Sequence, residues 1–309
     1  ISSYGGVRFI FPKKRPMFGA DFTHPGDIMR EISVDLIRDT VARLAVEACC
    51  RLPESTLSAM RRARECELSP TGRDVLGQLI QNASIASEEN VPICQDTGLA
   101  VVFAEIGQEV HITGGLFEDA VNQGIAKGYT EGYLRKSSVE EPLFERRNTG
   151  DNTPAVIHTR LVAGDRITLR LAPKGAGSEN KGALHMLVPA DGLEGVKKAV
   201  LDTVRHAGAS PCPPMVIGVG RGGNKELACL GAKKACARDV DSRNPDPRYA
   251  RLEEELLELV NRLGTGPAGL GGSVTAFKVN VEYFATHIAC LPVAVNINCN
   301  AARHATAVL

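Results

Sequence analysis

Apolar residues recur every three to four positions in the first third of the chain, and this spacing predicts amphipathic helices. Segment 33–50 has one apolar face, and Ser33 stands where a helix cap is needed. A second helix is predicted over 55–67. A third is predicted to begin after Ser69, because Pro70 suits a first helical turn. The start of the folded part is therefore expected to be helical.

In the rest of the chain, segments whose apolar residues recur every second position alternate with segments where they recur every three to four positions. The segments that fit helices are 116–134, 192–207, 224–236 and 249–264, and those that fit strands are 99–106, 214–220, 273–283 and 291–298. Alternation on both sides of Gly164, over 155–172, predicts an antiparallel hairpin.

This mixture of elements predicts an α/β fold of mixed α+β type, with a helical N-terminal part and mixed sheets. One large domain is expected over 29–309. Residues 1–28 show no helical period, so they are expected to form a loosely ordered arm, and Met29 is a plausible natural start.

Charge and hydropathy narrow the range of partners. The 309 residues carry no formal net charge, which argues against a partner bound by bulk charge, such as nucleic acid or a membrane surface. No apolar run reaches the ~18 residues of a spanning helix. The first residues also lack the apolar core of a signal peptide. These features predict a cytoplasmic protein.

The chain is rich in cysteine, with nine residues: Cys49, Cys50, Cys66, Cys94, Cys212, Cys229, Cys236, Cys290 and Cys299. An odd count at irregular spacing argues against a disulfide framework. The sequence has no C-x-x-C pair, which argues against a zinc ribbon or finger. A reducing compartment is expected.

The cysteines fall into two groups by their surroundings. Those on predicted helix faces are expected to be small buried hydrophobes: Cys49, Cys50, Cys66, Cys229 and Cys236. Cys94, Cys212 and Cys299 instead stand where a strand meets a loop, and the first two lie close to prolines that stiffen the backbone. Three soft ligands with one vacancy suit an iron–sulfur cluster that leaves one iron free for substrate. The alternative to a cluster is that Cys94, Cys212 and Cys299 are three more small buried hydrophobes.

Two G-x-G-x-x-G strings point toward a nucleotide site, but neither has the full context. Gly218, Gly220 and Gly223 lie between a strand and a helix, yet no second buried strand ending in an acidic residue follows. The second string begins at Gly264, directly after a helix, and fits a helix end and turn.

Six ordered motifs give the sequence a family resemblance. They are ICQDTG, NTGDNTPAVIH, KGAGSENKG, ASPCPPMVIGVGRGG, GTGPAGLGG and THIACLPVAVNINCNAARHA. In this order, over about residues 29–309, they resemble the α subunit of class I fumarate hydratases, iron–sulfur hydro-lyases that include L-tartrate dehydratase. The resemblance implies a [4Fe-4S] cluster held by Cys94, Cys212 and Cys299, with Cys290 as the rival for third ligand.

The resemblance also implies the residues that approach substrate. They are Gln95 and Asp96 after the first ligand, Arg135 for a substrate carboxylate, Gly177 for a backbone N–H, and His287 in the pocket, with Asp96 and His287 handling protons. Each has a simpler alternative, since Asp96 could be a turn or cap residue, His287 a strand-end histidine and Arg135 a solvated helix-end charge.

What the resemblance implies for function is a reversible hydration of fumarate to malate, with the cluster as Lewis acid. Full-length relatives continue into a second domain, whereas this chain stops at Leu309. A separate β subunit and a dimer of αβ units are therefore expected. Dehydration of L-tartrate is the alternative substrate choice. A non-catalytic iron–sulfur scaffold is the alternative of another class.

Overall fold

A computed structural model describes residues 29–309, so the predicted arm at 1–28 lies outside the described residues. The helices are α1 (Val34–Cys50), α2 (Glu54–Cys66), α3 (Pro70–Glu89), α4 (Phe117–Glu131), α5 (Ala176–Glu179), α6 (Gly192–Ala207), α7 (Lys225–Cys236) and α8 (Pro247–Asn261). The strands are β1 (Arg30–Ser33), β2 (Leu99–Gly107), β3 (Val110–Thr113), β4 (Val156–Val162), β5 (Ile167–Lys174), β6 (Ala183–Leu187), β7 (Met215–Gly222), β8 (Ala276–Phe284), β9 (Leu291–Asn298) and β10 (Ala305–Val308). The mixed α/β prediction is confirmed.

The predicted helix starts are confirmed by their caps. The Ser33 Oγ accepts a hydrogen bond from the backbone N–H of Leu36 at 3.3 Å, and the Ser69 Oγ accepts one from Gly72 at 3.2 Å. Each bond satisfies an N–H that the first turn of a helix leaves free. Both hydroxyls stand one residue before the helix, as the sequence indicates.

The first sheet has the order β10-β5-β2-β4 and packs against α1 and α4. Its central strand, β2, is largely buried, and it pairs in parallel with β4 and antiparallel with β5. The predicted hairpin of β4 and β5 is therefore wrong, because β2 lies between them. The alternating pattern found both strands correctly, but the strongly apolar β2 takes the central position and leaves β4 exposed at the edge.

The second sheet has the order β6-β9-β7-β8 and is covered on both faces. Helices α6 and α8 pack on one face, where apolar side chains of β7, β8 and β9 form a second large core. On the other face α7 lies directly over β7, at the glycines of the first G-x-G-x-x-G string. A Cβ added to Gly218 would lie 2.1 Å from the Ala232 carbonyl oxygen, and one added to Gly220 would lie 1.9 Å from that of Ala228. These glycines therefore allow close contact of helix and strand.

Replacing Gly220 with alanine is expected to lower the free energy of unfolding by about 3 kcal/mol, because the new methyl group forces α7 away from β7. Gly77→Ala is the matched control. Its added Cβ meets only the Arg64 side chain, at 3.4 Å, so a gain of about 0.5–1 kcal/mol is expected from the helical interior. Chemical denaturation of both variants measures the difference. Equal stability would contradict the packing role.

Three of the five cysteines expected to be buried are buried, namely Cys49, Cys50 and Cys236. Cys66 and Cys229 are exposed, so that prediction is wrong for these two. Both are on helices, but on faces that stay exposed among residues 29–309. In the described residues, every helix falls short of the length and apolarity needed to cross a bilayer.

Candidate functional site

Two of the candidate cysteines meet because strands β7 and β9 run antiparallel. Cys212 precedes the start of β7, Cys299 follows the end of β9, and Val216 pairs with Asn298 at this end of the sheet. The backbone N–H and the side-chain Nδ2 of Asn300 both donate to the Cys212 carbonyl, at 3.1 and 2.8 Å. The two cysteine-bearing loops are thus held together by hydrogen bonds.

The third candidate, Cys94, comes to the same place from the turn that precedes β2. Its neighbour Ile93 packs with Cys299 against one small apolar cluster made of Leu52, Met60, Ala83 and Ala301. Burial raises the pKa of the Cys212 thiol, and the charges of Cys299 and Cys94 raise it further. We call these residues the three-cysteine group. Each is at least partly accessible.

The Asp96 carboxylate links this turn to a third loop. Its Oδ1 accepts the N–H of Gly98 at 3.0 Å, and its Oδ2 accepts the N–H of Ala176 at 2.9 Å. Gly177 follows in the short helix α5, and a Cβ added to it would lie 3.3 Å from the Ser210 carbonyl oxygen. The glycine-rich segment therefore bridges Asp96 and the loop of Cys212.

Gln95 and Arg135 lie at the exposed side of this arrangement. The Gln95 Oε1 is 3.4 Å from the Cys94 Sγ. The carbonyl of Arg135 accepts the Thr97 hydroxyl at 2.7 Å, which places the Arg135 backbone beside the turn. The structure thus brings the three-cysteine group, Gln95, Asp96, Gly177 and the backbone of Arg135 together.

Asn152 is one positioning residue that sequence reasoning missed. It is fully buried, its Oδ1 accepts the N–H groups of Ser137 and Ser138, and its Nδ2 donates to the Gly98 carbonyl at 3.1 Å. It therefore ties the segment after Arg135 to the turn of Cys94. Its place in the NTGDNTP motif was the available signal.

Arg303 is the second missed residue. It is only 2% exposed, and its Nη2 donates to the backbone carbonyl of Asp96. Within the described residues, its Nε and Nη1 are buried and find no hydrogen-bond partner. Burial lowers the pKa of this guanidinium, whereas the nearby groups of Cys49, Cys299, Cys94 and Tyr129 raise it, and the net shift is upward. A permanent positive charge therefore lies beneath the site. The ARHA string gave only a weak signal for this role.

The structure does not bring His287 or Cys290 to the three-cysteine group. Both are in the loop between β8 and β9, which is fixed to the far end of β7 by the bond from the Thr286 hydroxyl to the Gly223 carbonyl, at 2.8 Å. Since β9 has 8 residues, its two ends lie about 25 Å apart at roughly 3.3 Å per residue. The expectation that His287 lines the same pocket of this chain is corrected, because the whole of β9 lies between His287 and Cys299. Cys290, the rival third ligand, is excluded from the group by the same distance.

Comparisons with known proteins identify the family of the chain. The family described as fumarate hydratase (Fumerase) matches residues 38–308. A protein of Methanocaldococcus jannaschii, provisionally named L(+)-tartrate dehydratase subunit alpha, is 41% identical over 87% of this chain and 96% of its own length. The L(+)-tartrate dehydratase subunit alpha of Escherichia coli K12 is 31% identical over 90% of this chain and 92% of its own length. The chain therefore belongs to the fumarate hydratase family of hydro-lyases and is of its alpha-subunit type.

Proposed function

We propose that this chain is the cluster-bearing subunit of a hydro-lyase that interconverts fumarate and malate. In this proposal Cys94, Cys212 and Cys299 hold a [4Fe-4S] cluster, and a separate β subunit completes the active site. The observation that carries the proposal is the meeting of three cysteines from three distant loops above the buried, partly unpaired Arg303.

The residues present fit such a cluster in two respects. Thiolates are the usual ligands of iron–sulfur clusters, and three of them leave one iron open. Three thiolates also need compensating positive charge, which Arg303 supplies. Two of its buried nitrogens find no hydrogen-bond partner in the described part of the chain. In residues 29–309, no three His, Cys, Asp or Glu side chains are grouped tightly enough to hold a single metal ion. Ligands of a cluster bind different irons, so they stand further apart than the four ligands around one zinc.

When bound, the cluster supplies a Lewis acid that weakens the bond to the leaving hydroxyl. The chain's own residues bind and orient the dicarboxylate. Arg135 supplies a positive charge for one carboxylate, and the backbone N–H of Gly177 supplies a second donor. Gln95 places its side-chain amide beside Cys94, with Oε1 3.4 Å from the Cys94 Sγ. Together these groups hold the substrate with its reacting carbons in one orientation.

Asp96 is the proposed group that moves a proton at the leaving or entering hydroxyl. Its carboxylate is held by two backbone N–H groups, which fix its position between the turn of Cys94 and α5. A fixed acceptor within reach of substrate is the geometric requirement for general acid–base catalysis. We do not assign this step to His287, because of its distance along β9.

Replacing Arg135 with glutamine is expected to raise KM for the dicarboxylate by about 10- to 100-fold, since a hydrogen bond to a charged group contributes roughly 1.5–3 kcal/mol. The iron and sulfide content is expected to stay unchanged. Arg147→Gln is the matched control, because this exposed arginine forms an ion pair with Glu145, at 3.5 Å. Steady-state kinetics measure both variants. An unchanged KM in Arg135→Gln would mean that Arg135 is a solvated charge and does not bind the substrate carboxylate.

L-tartrate is the second candidate substrate, and the names of the relatives support it. The family description supports fumarate. The two reactions share the same chemistry, which is loss of a hydroxyl β to a carboxylate with removal of a neighbouring proton. The choice therefore depends on contacts to the second hydroxyl of tartrate.

The test is co-expression of this chain with a β subunit under anaerobic conditions, followed by assays with fumarate, malate and L-tartrate. A kcat/KM for malate at least tenfold above that for L-tartrate would support fumarate hydration. The reverse ratio would assign tartrate dehydration. A complex with an intact cluster and no activity on either would support the non-catalytic scaffold instead.

A further inference from the structure

The unpaired guanidinium nitrogens of Arg303 are not explained by the fold alone. A buried N–H without a partner costs roughly 1–3 kcal/mol, and more when the group is charged. Nη2 has the carbonyl of Asp96, but Nε and Nη1 have no partner within residues 29–309. A charged side chain that is 2% exposed is not expected to leave these two donors free in a working protein.

The surroundings of Arg303 point to the group that these donors serve. Arg303 lies four residues after Cys299 and directly beneath the Cys94 turn, through its bond to Asp96. The nearby buried thiol of Cys49 does not neutralise it, because burial raises the pKa of Cys49 to about 12 and keeps that thiol protonated. The Asp96 carboxylate is also nearby, but its two oxygens accept the N–H groups of Gly98 and Ala176. The thiolates of Cys94 and Cys299, in their metal-binding form, are the other anions near Arg303.

We propose that Arg303 is a positioning residue for the cluster, whose Nε and Nη1 donate hydrogen bonds to the thiolate or sulfide sulfurs on its buried side. This inference rests on the proposed function. Hydrogen bonds to the sulfurs and net charge are two of the factors that set the reduction potential of an iron–sulfur cluster. Arg303 therefore makes the cluster easier to reduce, because its charge and donors stabilise the form with one more electron.

The test is a redox titration of the reconstituted αβ complex, followed by electron paramagnetic resonance, for the wild type and three variants. In Arg303→Met the equilibrium constant for one-electron reduction is expected to fall at least tenfold, a shift of 59 mV to more negative potential. Arg303→Lys keeps the charge but loses the fork of donors. Its reduction potential is therefore expected to lie between those of the wild type and Arg303→Met. Iron and sulfide content, measured on the same samples, confirms that the cluster is present.

Arg170→Met is the matched control, because this arginine bonds to the Thr306 hydroxyl and the Ala237 carbonyl instead. Its potential is expected to equal that of the wild type. Equal potentials in wild type and Arg303→Met, with full iron and sulfide, would overturn this inference and leave the proposed function intact. A wild type without iron and sulfide would overturn both. If Arg303→Met fails to fold, Arg303→Lys decides: a potential within 10 mV of the wild type overturns the donor role.

Discussion

Replacing any one of Cys94, Cys212 and Cys299 with serine is expected to abolish cluster binding and activity together. A cluster held by three cysteines loses a third of its protein ligands in each variant, and a serine hydroxyl is a much poorer ligand for iron than a thiolate. We expect about four iron and four sulfide per wild-type chain and close to none in each variant. Iron and acid-labile sulfide, measured after anaerobic reconstitution, give the result directly.

Two further cysteines provide matched controls for this series. Cys290→Ser removes a half-buried thiol at the far end of β9, and Cys229→Ser removes an exposed thiol on α7. Both are expected to keep full iron and sulfide content. A loss in Cys290→Ser with retention in Cys299→Ser would reverse the assignment of the third ligand. A wild-type chain that binds no sulfide would refute the cluster itself.

Local sequence patterns were enough to choose candidate cysteines and to place most strands, but not to predict the order of the strands in the first sheet. Cys94, Cys212 and Cys299 share one local signal, a cysteine at the junction of strand and loop, and this signal is readable without the fold. The order of strands depends on which strand is most deeply buried. The order follows from the relative burial of β2, β4 and β5, which the alternating pattern of each strand alone does not predict.

The two residues that were missed show the same limit. Asn152 and Arg303 act through contacts with segments 54 and 207 residues away in sequence. Each stands in one of the family motifs, but the motif alone does not tell a buried positioning residue from a loop asparagine or a surface arginine. Both are buried polar side chains whose donors and acceptors need hydrogen-bond partners, and burial is a property of the fold. His287 shows the converse case, since a short spacing to Cys299 in sequence hides the length of a whole strand.

Asp96→Asn is expected to lower kcat by about 10²- to 10⁴-fold while cluster content stays at the wild-type level, because the amide cannot take up or release the proton. The fold should tolerate this change. The remaining amide oxygen still accepts the N–H of Gly98, and the bond to Ala176 is the one at risk. Losing one such bond costs about 1–3 kcal/mol of stability. Steady-state kinetics, with iron and sulfide measured on the same samples, separate the two effects.

Asp151→Asn is the matched control for a purely structural carboxylate. Asp151 makes the same kind of turn, with its Oδ1 accepting the N–H of Thr153 at 3.0 Å and the hydroxyl of Thr153 at 2.7 Å. Its substitution is expected to lower stability slightly and leave kcat unchanged. If Asp96→Asn behaved like Asp151→Asn, Asp96 would be a turn residue that orders the loop of Cys94. The proton would then have to be handled from outside this chain, and the β subunit would be the place to look for the group that does so.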